Sequence, residues 1–467
     1  MMNRIAWFST INGPHLSAAA AYTRLLLPCL AEFEIEIFTG ESDFSDSLPL
    51  GSGQSGARVF HSHRAAQRHR EHPFQYFVYN LEDRASSRPV QLAAEVVPGV
   101  AIFHDVRLNQ LYRGRFSHST AAKDIDEMQI ALFGEQAARL GEYHVRGWSI
   151  ESFDRVYHCG KPEAEAAGAV LTFSNAGVRR LRSLGIRAEV LLGLPPVAMV
   201  PSTEVLRQRE QTRAMLQYRS EQVVIGFCGS EILVDRIPQA LEAFAAVLSD
   251  GAPQIRLLWL VGSRLERERA QQALQRCSRH APTMLEHIDL VCRESAEDYR
   301  SVLSAFDLLL APRFDELRGV PRYVLDVSAR AVPAITSSVG SGFSFPQGAT
   351  LSIEPGRGEE RALRMLLGES IANRALRVKV GEAARAFVAM ECTAAGAAED
   401  FRAVLERNGE RIGAVQRAAQ ARYRHARSEL LTELRQEAPF DAMHANHVVE
   451  PGGTDVINQA IHEFGWE

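Results

Sequence analysis

The chain has little of what marks membrane, secreted or nucleic-acid-binding proteins. Its 467 residues contain no apolar run long enough to cross a bilayer, so we expect any membrane contact to be peripheral. The 52 basic and 57 acidic side chains leave a net charge of −5, and this balance argues against nucleic-acid binding. The first residues enter a predicted strand almost at once, which leaves no room for a secretory signal peptide.

Cysteine is also scarce, and no two cysteines form a Cys-x-x-Cys pair. The six lie far apart in the chain, at Cys29, Cys159, Cys228, Cys277, Cys292 and Cys392. This spacing excludes a dense disulfide framework, and we expect reduced thiols in a cytoplasmic protein. No metal site and no cofactor are predicted.

A strand, a loop rich in small residues and an amphipathic helix occur in this order twice. The first copy starts with the strand 5–9 and continues into a helix that carries Tyr22 and Leu26. The second copy starts with the strand 223–227 and continues into a helix that carries Leu241. Each helix repeats its apolar residues every three or four positions, while each strand is short and continuously apolar. Two such starts, about 220 residues apart, predict an α/β protein of two doubly wound, Rossmann-like domains that face a cleft.

Further apolar segments extend both predicted sheets. We expect additional strands at 35–38, 100–103 and 170–173 in the first half, and at 255–261, 288–291, 307–310 and 333–336 in the second. The predicted division is an N-terminal domain at 1–195, a linker at 196–220, a second domain at 221–390, and a helical C-terminal segment and tail at 391–467. A long charged helix is expected over 410–437.

Ligands of open parallel sheets bind beyond the carboxyl ends of the strands, so the loops that follow the strands are the candidate sites. After the first strand, Ser17 and Ala18 open a helix whose unpaired backbone N–H groups would suit an anion; a plain connection is the alternative. After the strand 100–103, His104 stands beside Asp105, which would orient it as a general base; a purely structural pair is the alternative.

The second domain begins its first helix after a loop that contains Gly229, Ser230 and Arg236. A guanidinium at this point suits a diphosphate, because arginine stays charged and offers planar donors. An ordinary surface arginine is the alternative.

The segment 312–326 carries the strongest anion signal. Arg313, Arg318 and Arg322 approach the start of a helix, whose first position we assign to Pro321. The alternative is that these arginines pair with the acidic residues of the same segment, which are Asp315, Glu316 and Asp326.

Together these segments resemble the family 4 glycosyltransferases of GT-B fold, the bacterial group 1 sugar transferases. Residues 5–23 look like the family's opening strand followed by Ser-Gly-Ile-Ala-Asp-Tyr-Ser, and residues 98–105 look like its Pro-Gly-Val-Val-Val-Leu-His-Asp segment. Residues 326–337 occupy the place of its Glu-Ala-Met-Ala-x-Gly-x-Pro-Val-Ile-Ala-Ser. The likeness extends over residues 4–407.

The resemblance implies a retaining, metal-independent glycosyltransferase of glycan biosynthesis, which moves a hexosyl or related sugar from a nucleotide diphosphate sugar to an acceptor in the cleft. It implies that the N-terminal domain holds the acceptor and the second domain the donor, and that His104 and Asp105 are catalytic, with His104 beside the transferred sugar. The implied donor-binding residues are Ser17, Ala18, Gly229, Ser230, Arg236, Arg313, Glu316, Arg318, Gly319 and Asp326, the last at the ribose.

Four positions depart from the family pattern. Ala18 stands where the family has glycine, Asp235 where it has a lysine, and Arg318 and Asp326 where it has two glutamates separated by seven residues. The loss of the glycine, the first glutamate and the lysine motivates a second hypothesis, a catalytically silent GT-B homologue that acts as a binding or partner subunit. Sugar-nucleotide epimerases and phosphorylases of the same architecture form a third class.

The sequence leaves most partners open. The acceptor is a glycan, a lipid carrier, a protein or a small molecule, and no nucleic-acid partner is expected. Peripheral membrane contact and homo- or hetero-oligomerisation through the C-terminal helix also stay open.

Overall fold

The computed structural model describes residues 3–11, 17–49, 56–108, 111, 160–229, 234–251, 254–279, 282–313, 317, 319–339 and 345–437. Over these residues the strands form two separate sheets, and the two sheets follow one another along the chain. We call the first sheet with its helices the first unit, and the second sheet with its helices the second unit.

Eight described strands make up the first sheet. They are β1 (Arg4–Phe8), β2 (Glu34–Thr39), β3 (Ser47–Leu48), β4 (Ala57–His61), β5 (Tyr76–Leu81), β6 (Val100–Phe103), β7 (Ala169–Thr172) and β8 (Glu189–Leu192). Their order is β3-β4-β2-β1-β5-β6-β7-β8, and every neighbouring pair is parallel except β3 with β4. The reversal of strand order at β1 and β5 places the ends of these two strands at the switch point, where ligands of such sheets bind.

Six described strands make up the second sheet, and all of its pairs are parallel. They are β9 (Val223–Phe227), β10 (Ile255–Val261), β11 (Ile288–Cys292), β12 (Leu308–Ala311), β13 (Ala334–Ser337) and β14 (Leu351–Ile353), in the order β11-β10-β9-β12-β13-β14.

Helices connect most of the parallel strands. The described α-helices are α1 (Ala18–Leu26), α2 (Ala65–Glu71), α3 (Arg88–Val96), α4 (Lys161–Ala166), α5 (Asn175–Ser183), α6 (Ser202–Met215), α7 (Ile237–Ser249), α8 (Arg264–Cys277), α9 (Ala296–Val302), α10 (Arg322–Ser328), α11 (Glu359–Ala372), α12 (Arg374–Glu391) and α13 (Ala394–Glu437). Short 3-10 helices lie at Leu27–Cys29, Ser62–Arg64, Ala85–Ser87, Pro282–His287 and Leu303–Ala305.

Each sheet is covered on both faces, as its continuously apolar strands predict. In β1, Ile5 and Trp7 pack into one core, while Ala6 and Phe8 pack into the other, because successive side chains of a strand point to opposite faces. The strands of the second unit divide in the same way between two cores. The prediction of two doubly wound α/β sheets is therefore confirmed.

All nine strands proposed from the apolar segments are present within one or two residues. The strands β3, β4, β5, β8 and β14 were missed. The missed β5 matters most, because it lies between β1 and β6 at the centre of the first sheet.

The predicted linker contains an ordered helix, α6, which packs on the second unit. Arg209 and Arg213 of α6 both form ion pairs with Asp307, with nitrogen–oxygen distances of 2.6 and 3.1 Å. Asp307 also accepts a hydrogen bond from the backbone N–H of Val224 at the start of β9. The charged residues of this stretch therefore attach the connection to the second unit.

The chain crosses between the units twice, and the two crossings touch. Val197 on the outward crossing donates its backbone N–H to the carbonyl of Cys392 on the return crossing, at 2.9 Å. After the return, α13 packs on the first unit, where the ring of Phe401 lies edge-on to Trp7 at 5.5 Å. The long helix expected from residue 410 thus begins at Ala394, and its first half is part of the core of the first unit.

Candidate functional site

His104 lies at the carboxyl end of β6, where the predicted ligand edge of the first sheet is. Its backbone N–H donates to the carbonyl of Leu81 at 2.9 Å, which continues the pairing of β6 with β5. Its ring nitrogen Nε2 lies 3.2 Å from Oδ1 of Asn80, and Nδ2 of Asn80 donates to the carbonyl of Phe8 at 3.3 Å. Because the amide nitrogen of Asn80 faces a carbonyl, its oxygen faces the ring, so the proton of His104 is on Nε2 and Nδ1 is the acceptor.

The imidazole of His104 is packed among aromatic rings. Tyr22 lies edge-on at 5.4 Å and Phe173 lies at 5.1 Å between ring centroids. Burial lowers the pKa of His104 below its ordinary value of 6.5, although the negative charges of Glu82 and Asp105 partly oppose this shift. The ring is therefore neutral near pH 7 and accepts a hydrogen bond rather than carrying a positive charge.

Asp105 does not orient His104 in the way the sequence suggested. Its carboxylate oxygen Oδ2 accepts a hydrogen bond from the backbone N–H of Asp83 at 3.2 Å. The ring of His104 has Asn80 as its hydrogen-bond partner instead. Asp105 acts on the histidine through its charge, and Asn80 sets its orientation.

The start of α1 is occupied by a side chain of the protein itself, Glu82. Its Oε1 accepts the backbone N–H groups of Ala18, at 2.5 Å, and Ala19, at 3.1 Å. Its Oε2 accepts the hydroxyl of Ser17 at 2.9 Å. The next N–H, that of Ala20, donates to Oγ of Ser17.

The prediction of unpaired N–H groups at Ser17 and Ala18 is therefore wrong for this structure. The physical reason is that β5 ends directly before Glu82, so that the carboxylate enters the first turn of α1 from the neighbouring strand. A carboxylate at a helix start satisfies the donors there and also opposes the positive end of the helix dipole.

The second unit holds Arg236 in the same way. Arg236 precedes α7 with a left-handed backbone (φ 51°), and its guanidinium binds both carboxylate oxygens of the buried Glu359. Gly229 lies just after β9, at the start of the loop that leads to α7, and an added Cβ there would come within 2.7 Å of Asp235 and Phe227. Gly229 is thus packed tightly against the residue before Arg236, and the guanidinium predicted to contact a diphosphate already binds a carboxylate of the chain.

The two arginines of the segment 312–326 that the structure describes also face acids. Arg313 lies 3.6 Å from the carboxylate of Asp235, and its backbone N–H donates to Oγ of Ser337. Arg322 pairs with Asp326 one turn later, at 3.1 Å, and donates to the carbonyl of Pro196 at 2.5 Å.

For Arg322 and Asp326 the alternative of internal pairing is the observed one, and both side chains are buried. The helix starts at Arg322 and not at Pro321, which is the residue before it. Asp326, implied to reach the ribose, is committed to this pair. Ser230, Glu316 and Arg318 lie outside the described residues.

Gly319 brings the second unit against the first, next to His104. A Cβ added at Gly319 would lie 3.1 Å from both the Cβ and the carbonyl oxygen of Phe173, whose ring contacts His104. Only glycine permits this approach of the two backbones. The segment that follows β12 therefore meets the carboxyl end of β7 beside the histidine.

Two features are absent from the residues that the structure describes. No three of their His, Cys, Asp or Glu side chains form a group that could hold a metal ion. No helix among them is both long and apolar enough to cross a bilayer.

Two residues of the site, Asn80 and Glu82, were missed by sequence reasoning because the strand that carries them was missed. A signal was present: residues 76–81 form an apolar run, and polar residues follow at its end as they do after 100–103.

Neither a protein-family model nor a curated protein sequence matches the chain. Solved structures do match it over most of its length. Sucrose-phosphate synthase from Thermosynechococcus elongatus is 16% identical with a TM-score of 0.58, and the match covers 87% of this chain and 98% of that one.

Two further structures are similar to the chain. HepE from Anabaena, in complex with UDP and glucose, is 13% identical with a TM-score of 0.53, and the match covers 87% of this chain and all of that one. WaaG, a glycosyltransferase involved in lipopolysaccharide biosynthesis, is 15% identical with a TM-score of 0.52, and the match covers 86% of this chain and 99% of that one. At such identities the likeness concerns the fold, and the chain has the GT-B fold.

Proposed function

We propose that the chain is a retaining glycosyltransferase that moves a hexosyl or related sugar from a nucleotide diphosphate sugar to an acceptor, without a metal ion. The observation that carries the proposal is the neutral His104, held by Asn80 at the carboxyl edge of the first sheet, beside the contact of Gly319 with Phe173. The GT-B fold, and the UDP and glucose in the HepE structure, support a nucleotide sugar as the donor. Membership of family 4 is part of the same proposal.

In this mechanism His104 contacts the transferred sugar. Its Nε2–H is directed to Asn80, so Nδ1 is the atom that accepts a hydrogen bond from a sugar hydroxyl. A neutral ring suits this role, because a protonated ring could not accept. Asp105 adds negative charge nearby, and a negative charge stabilises the positive charge that develops on a sugar during transfer.

The departing diphosphate requires positive charge from the second unit. Arg236 and Arg313 follow its first and fourth strands along the chain, at the carboxyl edge. Each faces a carboxylate, and a guanidinium has five N–H donors, so one arginine can bind a carboxylate and a phosphate together. The carboxylates keep both arginines in place before the donor binds.

One observation favours a second candidate function, a catalytically silent binding or partner subunit. Each described positive group that was predicted to bind the phosphates is paired with a carboxylate of the chain itself. The pairs are the start of α1 with Glu82, Arg236 with Glu359, Arg313 with Asp235, and Arg322 with Asp326. This arrangement is expected in a protein that binds no nucleotide, because its positive groups are already neutralised by its own acids.

Calorimetric titration of the full chain with UDP, GDP and dTDP separates the two candidates. We expect saturable binding of one of them. We also expect His104→Ala to bind this nucleotide within about twofold of the native affinity and to lose donor turnover, because the ring contacts the sugar and not the nucleotide. Turnover is measured as release of the nucleoside diphosphate from a panel of nucleotide sugars.

The matched control is His63→Ala, which removes an exposed histidine of the same unit and should keep full turnover. Native turnover in His104→Ala would contradict the role of His104. If none of the three nucleotides binds, the transferase is contradicted and the partner subunit is supported.

A further inference from the structure

We propose, on the basis of the transferase function above, that Glu82 is a specificity-determining residue. It occupies the start of α1 as an internal anion, so that the first unit accepts only the uncharged, hydroxyl-bearing part of the ligand. The phosphates are confined to the second unit.

The contacts of Glu82 leave the start of α1 without a donor for a second anion. Two backbone N–H groups and the hydroxyl of Ser17 already donate to its carboxylate, and the hydroxyl of Thr10 lies 3.5 Å from Oε2. The N–H of Ala20 donates to Ser17, which completes the first turn. A phosphate oxygen could bind here only by displacing the carboxylate.

Burial and charge strengthen this exclusion. Glu82 is only 2% exposed, so its charge is weakly screened by solvent. The negative charges of Glu82 and Asp105 also lie near enough to His104 to oppose the lowering of its pKa by burial. A phosphate that approached His104 would meet like charge, whereas a sugar hydroxyl would meet hydrogen-bond acceptors.

The arrangement also explains why Ala18 is tolerated at this position. A methyl group there would hinder a phosphate that approached the backbone. With Glu82 reaching the N–H of Ala18 from the neighbouring strand, no ligand needs to approach the backbone at this point.

Binding of inorganic pyrophosphate to the full chain at low ionic strength tests the proposal. We expect Glu82→Ala to bind pyrophosphate about tenfold more tightly than the native chain, because the freed N–H and hydroxyl groups donate hydrogen bonds to the anion. Adding Ser17→Ala to this variant should reduce the gain, because it removes one of the donors freed at the start of α1.

The matched control is Glu41→Ala. Glu41 follows β2 at the same edge and accepts the backbone N–H of Ile11, whereas the N–H groups of Ala18 and Ala19 donate to Glu82. It removes the same charge, so a gain of less than about twofold is expected. An equal gain in Glu41→Ala would show a general charge effect and would overturn the proposal.

Glu82→Gln keeps the size of the side chain and removes the charge, so it decides the outcome if Glu82→Ala fails to fold. If Glu82→Ala and Glu82→Gln both fold and both bind pyrophosphate with the affinity of the native chain, the proposal is overturned. Failure of the proposed function is a separate result, because it is read from nucleotide binding by the native chain.

Discussion

Asn80 controls His104 through two hydrogen bonds of opposite kind. The amide nitrogen donates to the carbonyl of Phe8, and the amide oxygen accepts from the imidazole. The backbone of the central strand therefore decides, through one side chain, which ring nitrogen faces the ligand. A nearby carboxylate in the place of Asn80 would favour the imidazolium instead, so the amide also keeps the ring neutral.

The low pKa of His104 predicts a pH dependence of stability. Since burial depresses this pKa below 6.5, the folded protein binds fewer protons than the unfolded chain between the two pKa values. The contribution of the neutral ring to the free energy of unfolding is complete above pH 6.5 and is lost as the pH falls from there towards the folded-state pKa.

We therefore expect His104→Gln to lose less stability than the native chain between about pH 7.5 and about pH 5.5, measured by urea denaturation. His63→Gln, which removes an exposed histidine, should follow the native curve. Parallel curves for His104→Gln and the native chain would refute the assignment of a depressed pKa.

At the scale of elements, the short helix α10 is a buried connector between the chain crossing and the second sheet. All seven of its residues are buried. Arg322 joins Asp326 to the carbonyl of Pro196, and Arg330, just beyond the helix, donates to the backbone carbonyl of Asp326. The helix therefore uses its charged residues to hold the crossing in place.

Asp326→Ala should lower the free energy of unfolding by about 3–5 kcal/mol, because it leaves Arg322 buried without its acid. Urea denaturation measures the change. The control is Asp250→Ala, whose pair with Arg364 is exposed to solvent and should contribute nothing measurable. A loss as small as that of the control would mean that Asp326 is not held by Arg322 in solution.

At the scale of the whole molecule, α13 makes the first unit dependent on the C-terminal end of the described chain. Phe401 packs on Trp7, and Ile412 lies so close to Gly168 that an added Cβ would come within 2.7 Å of its Cα. Because α13 follows the second unit along the chain, the core of the first unit is complete only after the second unit has been synthesised.

Phe401→Ala should cost about 3–5 kcal/mol of stability, because it opens a cavity against the fully buried Trp7. The measurement is chemical denaturation, with Met390→Ala as the control, since Met390 is 72% exposed on α12. If the two variants unfold at the same denaturant concentration, the packing of α13 on the first unit is not as described.

The sequence predicted the elements better than the site, for a physical reason. Strands such as 100–103 and 255–261 are recognised from their own apolar residues, because burial on both faces leaves a local pattern. The residue that pairs with a charged side chain leaves no pattern in the sequence near that side chain. Glu82 lies 64 residues from Ala18, and Glu359 lies 123 residues from Arg236.

The same argument explains which neighbours within the candidate site can be predicted from the sequence. His104 is singled out because it directly follows an apolar strand, and its catalytic role stays a prediction. The pairing of Arg322 with Asp326 was foreseen as an alternative, because residues four apart on a helix are neighbours. The acids on Arg236, on Arg313 and at the start of α1 come from segments distant in the sequence, and only the folded topology brings them there.

The hydrogen bond between Val197 and Cys392 has a mechanical consequence. Two covalent crossings fastened side by side form a spine, so the two units cannot twist freely about a single tether. The motion that this pair of crossings permits most easily is hinge opening and closing of the two units. Displacement then grows with distance from the spine, and a small angular change at Val197 becomes a large change in gap width at the outer rim.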